Sequence, residues 1–312
     1  MVLSLSLLVG GLALLTLAAD RFVVSASRIS AALGLSPILI GALVIGLGTS
    51  APELLVSVLA AGRGEIDLAL GNVVGSNTAN MTLVLGSTAL VMPIASRLRT
   101  IRREGALMFV SLGVFALLLW NLELGRLEAT GLMVGMVVAA VLLIFWGKSD
   151  VRAGTVPVVA TEFEEWVGSV GREWLVALAT LSVTLVGADL LVRGATGLAD
   201  DLEISSAFVG LVIVSIGTSL PELATALAAA RRGQTDLVLG NVLGSNLFNT
   251  LAVAGLAGLI GPGVVDVTFH GALVLMAGAG VVAGAASLTG RVERWEGAVL
   301  LMVFVVFVAV SV

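Results

Sequence analysis

The chain has no cysteine, no tyrosine, one histidine and one lysine among its 312 residues. Without thiols there is no disulfide framework, no thiolate nucleophile and no thiolate metal ligand. With His270 as the only imidazole, most histidine-based acid–base catalysis and metal binding fall away too. Charge is scarce: Asp, Glu, Lys and Arg make up 12% of the chain, against 58% hydrophobic residues and a mean hydropathy of +1.13. No soluble domain can hide that much apolar surface, so the composition defines an all-α polytopic membrane protein. The net charge of −5 says little once lipid is the solvent, and no nucleic-acid partner is expected.

Apolar runs fall at 2–19, 38–61, 68–94, 105–119 and 127–146, and again at 174–198, 208–230, 237–260, 267–288 and 297–312. Each approaches the roughly 20 residues that cross a bilayer of about 30 Å. Residues 1–19 lack a basic n-region, so the first run reads as a retained helix and not as a signal peptide. The first and sixth runs continue into weakly polar stretches, which predicts long, tilted helices. The expected organisation is a five-helix repeat over 1–146, a cytoplasmic connecting loop over 147–172 and a second five-helix repeat over 173–312. An odd number of spans per half inverts the second copy, an arrangement that places the binding site between repeats near the midplane.

The charges bear on this independently. With the amino terminus outside, thirteen of the sixteen basic residues fall on the cytoplasmic side and only Arg63, Arg126 and Arg193 outside. The positive-inside rule therefore predicts both termini extracytoplasmic, in the cell membrane.

Residues 46–80 recur at 215–249 without a gap, at an offset of 169, with 20 of 35 positions identical. Glu53 and Glu222 recur in this way, each directly after a proline. A carboxylate inside an apolar helix is costly unless it faces partners or a water-filled cavity, so it marks a functional site. Pro52 cannot donate to the carbonyl of Gly48 and its ring crowds that carbonyl, so the helix must bend or open; Pro221 does the same at Gly217. Carbonyls freed this way persist in a membrane only when buried in protein or lining a cavity. Thr49 and Ser50 lie one turn from Glu53, matched by Thr218 and Ser219 beside Glu222. In the following helices Ser76 and Asn80 are matched by Ser245 and Asn249. Gly71 and Gly75, like Gly240 and Gly244, form small-xxx-small faces for close helix approach. The second and third helices of each repeat are thus expected to be kinked or broken around a central site. Its donors are all oxygen, which suits hard cations, and a flexible multi-oxygen shell suits calcium better than magnesium.

Plainer readings apply to the parts. The glycines alone are helix packing, the hydroxyls can bond back to their own backbone, and the asparagines can be interhelical glue. Asp20 and Asp189 also correspond at the 169 offset. A structural role is favoured for both, since Asp189 can pair with Arg193 one turn on and Asp20 can sit at an interface. Glu162, Glu164 and Glu165 read as a solvated face of the connecting loop, and His270 as a loop residue.

The motifs GTSAPE with GNVVGSNTAN, and GTSLPE with GNVLGSNLFN, resemble the two alpha-repeats of the sodium/calcium exchanger family in the calcium/cation antiporter superfamily. The close match covers 46–80 and 215–249. The resemblance implies an alternating-access antiporter, not an enzyme, that exchanges Ca2+ for Na+, with these ions as substrates and no cofactor. It implies Glu53 and Glu222 as shared calcium ligands, with backbone oxygens of Thr49 and Thr218. Flanking cation positions would use Gly46, Ser50 and Ser76 on one side and Ser215, Ser219 and Ser245 on the other, with Asn80 and Asn249 closing the middle. Well-studied calcium-extruding members carry aspartate at the position of Asn249. Two formal charges in place of three leave stoichiometry open and keep H+ or another monovalent cation as an alternative counter-ion. The connecting loop is too short for the calcium-sensing domain of animal members. A cation channel is the remaining alternative class, disfavoured because channels surround a pore with symmetric subunits whereas inverted halves rock. Transport direction and oligomeric state stay open.

Overall fold

The computed structural model describes residues 2–33, 36–95, 98–152, 168–201, 215–267 and 269–311, and almost all of them are helical. In chain order the helices are α1 (Val2–Ala32), α2 (Pro37–Ile40), α3 (Gly46–Thr49), α4 (Ala51–Gly62), α5 (Ile66–Ala79), α6 (Leu85–Val91), α7 (Ala106–Leu118) and α8 (Arg126–Arg152). They continue as α9 (Val170–Asp201), α10 (Ser215–Thr218), α11 (Leu220–Arg231), α12 (Thr235–Leu247), α13 (Ala254–Ile260), α14 (Phe269–Ser287) and α15 (Arg294–Ser311). π-Helical segments join α2 to α3 (Gly41–Ile45), α5 to α6 (Asn80–Val84) and α12 to α13 (Phe248–Val253), and another precedes α7 (Ile101–Gly105).

Among the described residues six helices are long and apolar enough to cross a membrane: Val2–Ile29, Leu98–Asn121, Arg126–Asp150, Val170–Gly187, Thr235–Ile260 and Phe269–Ser287. The pair Ile38–Thr49 and Ala51–Gly62, bent by 46°, makes a seventh if it is one span. The helical membrane class is therefore observed, with fewer uninterrupted spans than the ten apolar runs. One reason is chemical: the stretch from Ile66 carries asparagines, serines and threonines through its middle. Another is that 202–214, where the seventh run begins, lie outside the described residues.

The two longest helices, α1 and α9, have 31 and 32 residues. At about 1.5 Å per residue each reaches some 46–48 Å, well beyond the bilayer core, as the sequence predicted. They pack along one another, tightest where a Cβ added to Gly187 would stand 2.6 Å from the Leu15 nitrogen.

Two short antiparallel ladders join the repeats. Strand β1 (Ile94–Ala95) pairs with β4 (Arg291–Val292), and β2 (Glu123–Leu124) with β3 (Gly263–Val264). An offset of 169 carries β1 onto β3 and one of 168 carries β2 onto β4. Each repeat thus lends a strand to the other at two separate places. The polar contacts between helix ends sort in the same way. One set joins Arg232 to Asp20, Ser27 to Gln234, Arg28 to Glu173, Thr235 to Ala95, and Arg99 and Arg103 to Asp150. The other joins Asp67 to Asp266, Arg126 to Leu259 and His270 to Trp120.

Two local expectations change. α8 runs to Arg152 and α9 starts at Val170, so helix overruns both ends of the segment read as a loop, because Lys148 and Asp150 extend a helix as readily as they end a span. The acidic run 162–165 lies outside the described residues. His270 is in the first turn of α14, where Nε2 stands 3.0 Å from the Trp120 carbonyl and the rings meet at 4.8 Å. As for the two aspartates, Asp189 does pair with Arg193, at 2.7 Å, and Asp20 bridges to Arg232.

Candidate functional site

The break in each repeat falls two residues before the proline. Ser50 has φ −80° and ψ 12°, between α3 and α4; Ser219 has φ −87° and ψ 3°, between α10 and α11. Pro52 and Pro221 are each the second residue of the new helix, where a missing N–H costs nothing. The sequence placed the bend by the proline; the structure locates it at the serine, because the ring acts on the turn before it.

This geometry puts one carboxylate at the start of each new helix, and both are buried: Glu53 is 0% and Glu222 1% exposed. The hydroxyls of the two breaks are exchanged between repeats. Ser50 Oγ donates to Glu222 Oε1 at 2.8 Å, and Ser219 Oγ donates to Glu53 Oε1 at 3.4 Å. Thr49 and Ser245 lie beside Glu222, and Thr218 beside Glu53. The two carboxylates are close enough to act on one another electrostatically.

The third-helix residues close the site from two sides. α12 packs on α3 and on the segment Gly41–Ile45, and α5 packs on α10. Gly240 and Gly244 make the first approach possible: a Cβ on Gly244 would lie 2.7 Å from the Ala42 carbonyl carbon, and one on Gly240 3.0 Å from Gly41 Cα. Gly46 is pressed in the same way, and its carbonyl accepts Ser245 Oγ at 3.2 Å. For Gly71 and Gly75 the matching partner segment, 207–211, lies outside the described residues. Ser215 opens α10, and its side chain is likewise outside them.

Ser76, Asn80 and Asn249 are fully buried. Among the described residues Ser76 Oγ, both amide atoms of Asn80, both of Asn249, and the Oε2 atoms of Glu53 and Glu222 have no hydrogen-bond partner. Buried polar atoms are ordinarily paired, since an unpaired one costs about 1–3 kcal/mol, and such a concentration needs an explanation. Asn80 begins one π-helical segment and Asn249 is the second residue of the corresponding one. Such wide turns recur at functional sites. Among the described residues no three His, Cys, Asp or Glu side chains are grouped to hold a metal.

Two duplicated asparagines escaped the sequence reading. Asn72 Nδ2 donates to the Glu53 carbonyl at 3.1 Å and to Ser57 Oγ at 3.0 Å. Asn241 Nδ2 donates to the Glu222 carbonyl at 3.2 Å and to Thr225 Oγ1 at 3.3 Å, and its Oδ1 accepts Thr49 Oγ1 at 3.4 Å. Each ties its glutamate-bearing helix to the next one. A second pair, Asn77 and Asn246, is buried deeper; Asn77 donates to Thr250 Oγ1 at 2.9 Å while Asn246 turns back to Val242. All four are among the 20 identities between the repeats, which was the available signal.

A duplicated, buried, oxygen-only site between broken membrane helices defines a cation-handling membrane transport protein. Comparison with known proteins makes this specific: the chain matches the family model "Sodium/calcium exchanger protein" over residues 3–147 and 173–312, and it belongs to that family. It is 40% identical to CaxA of Alkalimonas amylolytica, over 95% of this chain and 94% of that protein. It is 30% identical to the sodium/calcium exchanger MaX1 of Methanosarcina acetivorans, over 96% of each. A solved structure of the sodium-calcium exchanger NCX_Mj, soaked with Na+ and Sr2+, superposes with a TM-score of 0.85 at 27% identity, covering 99% of this chain and 98% of that one. The protein is a membrane antiporter for calcium and a counter-cation, and not an enzyme.

Proposed function

We propose that the protein exchanges Ca2+ for Na+ by alternating access at one site shared by Glu53 and Glu222. The observation that carries this reading is the reciprocal exchange of Ser50 and Ser219 hydroxyls between the glutamates of opposite repeats, with one oxygen of each carboxylate left over. Two buried carboxylates close together repel, and a divalent ion cancels both charges at once. Thr49 and Thr218 supply backbone oxygens to it. Gly46, Ser50 and Ser76, with Ser215, Ser219 and Ser245, form flanking positions for monovalent ions, and Asn80 and Asn249 close the middle. The names of MaX1 and NCX_Mj support sodium as the counter-ion.

The arrangement behind it is ten spans in two inverted repeats, 1–146 and 173–312, with both termini outside. Two features support it: each ladder joins loops that this topology assigns to one membrane face, and the polar contacts between helix ends described above do the same. Proton exchange is the second reading. It is favoured by the neutral pair Asn80 and Asn249, and a Ca(2+)/H(+) antiporter of Aphanothece halophytica is 26% identical over 82% of the chain. Calcium uptake into proteoliposomes under imposed Na+, K+ or pH gradients tests both. Uptake driven by outward Na+ alone supports sodium exchange; uptake driven only by a pH gradient supports the proton reading.

A further inference from the structure

Arg63 and Arg232 are repeat equivalents, and so are Asp20 and Asp189, all at the 169 offset. Both arginines cap the C-terminus of a glutamate-bearing helix, α4 and α11, with φ −94° in each case. Both precede a glycine with positive φ, Gly64 at 80° and Gly233 at 69°. Both aspartates lie on the two longest helices, α1 and α9. The same four groups therefore build two identical opportunities for an ion pair, one at each end of the molecule.

Only one of them is used. Arg232 holds Asp20 with two bonds, Nε to Oδ1 at 2.9 Å and Nη2 to Oδ2 at 2.6 Å. Ser27 Oγ donates to Gln234 Oε1 beside it, and α1 packs along α11. The Arg63 side chain is exposed and makes no hydrogen bond or ion pair among the described residues, its backbone N–H alone closing the helix on Ala60. Its sequence-equivalent partner Asp189 is held instead by Arg193 on its own helix. Arg193 has no counterpart in the first repeat, where the equivalent position is Val24. α9 shows no packing on α4 comparable to that of α1 on α11 among the described residues.

We propose that Asp20–Arg232 and Asp189–Arg63 are alternate latches, one formed in each facing of the transporter, with Arg193 holding Asp189 while its own latch is open. This rests on the alternating-access reading above. In an inverted-repeat protein the opposite facing is obtained when the two repeats exchange conformations. The contact that α1 now makes with the end of α11 then becomes a contact of α9 with the end of α4. Both pairs are solvent-exposed, so each biases the equilibrium modestly, by about 1.5- to 5-fold.

The cysteine-free chain allows a direct test by bridging Asp20→Cys/Arg232→Cys and, separately, Arg63→Cys/Asp189→Cys with a short bifunctional thiol reagent in proteoliposomes. Both pairs are expected to bridge, each bridge to stop calcium uptake, and reduction to restore it. Failure of the Arg63/Asp189 pair to bridge in vesicles that still exchange ions overturns the proposal, as does a bridge that leaves uptake intact. The unmodified chain, assayed in parallel, keeps the two readings apart: no exchange there refutes the function, whereas exchange without bridging refutes only the latch. Charge reversal gives a second reading. Arg63→Asp should slow exchange by about 1.5- to 5-fold, and adding Asp189→Arg should restore it; an unrestored double variant overturns the pairing.

Discussion

Gly244 is where the site is most exposed to a one-atom perturbation. A methyl group there would stand 2.7 Å from the carbonyl carbon of Ala42, and the atoms it meets are all backbone of the Gly41–Ile45 segment, which cannot rotate away. The Ala42 carbonyl oxygen and Cα would be nearer still, so restoring an ordinary contact requires α12 and that segment to part by more than about 1 Å. Overpacking of this kind costs about 1–3 kcal/mol. Parting also strains the Ser245–Gly46 bond, worth about 1 kcal/mol, while alanine returns about 1 kcal/mol in helix propensity. The net penalty of about 1–3 kcal/mol falls on the packing that holds Gly46, Thr49 and Ser50 against α12. Gly244→Ala is therefore expected to weaken calcium binding roughly 5- to 150-fold, measured by calorimetric titration of the purified protein. Gly113→Ala on α7 is the control, since a Cβ there meets nothing within 4 Å among the described residues. If Gly244→Ala bound calcium within about twofold of that control, close backbone packing would not be what shapes the site.

Other outcomes follow from the same geometry. Pro52→Ala or Pro221→Ala restores a backbone donor to the turn and straightens the break, so calcium affinity should fall in a protein that still folds; unchanged transport kinetics in both would show that the freed carbonyls are not ligands. Asn72→Ala removes two bonds worth about 1 kcal/mol each, and Asn241→Ala the matching two and the longer one from Thr49, so each should lower calcium affinity at least about 5- to 30-fold with little change in expression. Affinity equal to the parent would reduce these residues to helix glue. Cysteines at Arg99 and Arg231 should both be labelled by an impermeant thiol reagent from the cytoplasmic face only, and labelling of either from outside would sink the inverted topology.

Much of this was legible in the sequence because the costly features came twice. Two buried glutamates, two prolines and two glycine faces at one offset identified the broken helices, and Asp189 was correctly paired with Arg193 from helical spacing alone. Other features depend on three-dimensional proximity that no spacing encodes. Nothing in the order of residues says that Ser50 donates to Glu222 and not to Glu53, three positions away. Asn72 and Asn241 looked like ordinary helix residues because their link to each glutamate runs to its main-chain carbonyl, which leaves no trace in a side-chain pattern. The exchange of strands between repeats was invisible for a similar reason: two-residue ladders carry no periodicity. Helix ends were misplaced where charged residues such as Lys148 and Asp150 continue a helix past the membrane, since hydropathy reports the end of the apolar run and not of the helix.

The shared site is tested most directly by calcium uptake into proteoliposomes loaded with Na+, comparing the parent with Glu53→Gln and Glu222→Gln. If one ion takes both carboxylates, each single variant should lose sodium-driven calcium uptake entirely, and neither should keep half of it. Near-normal uptake by Glu53→Gln alone would contradict the account, because the two repeats would then have to bind ions separately.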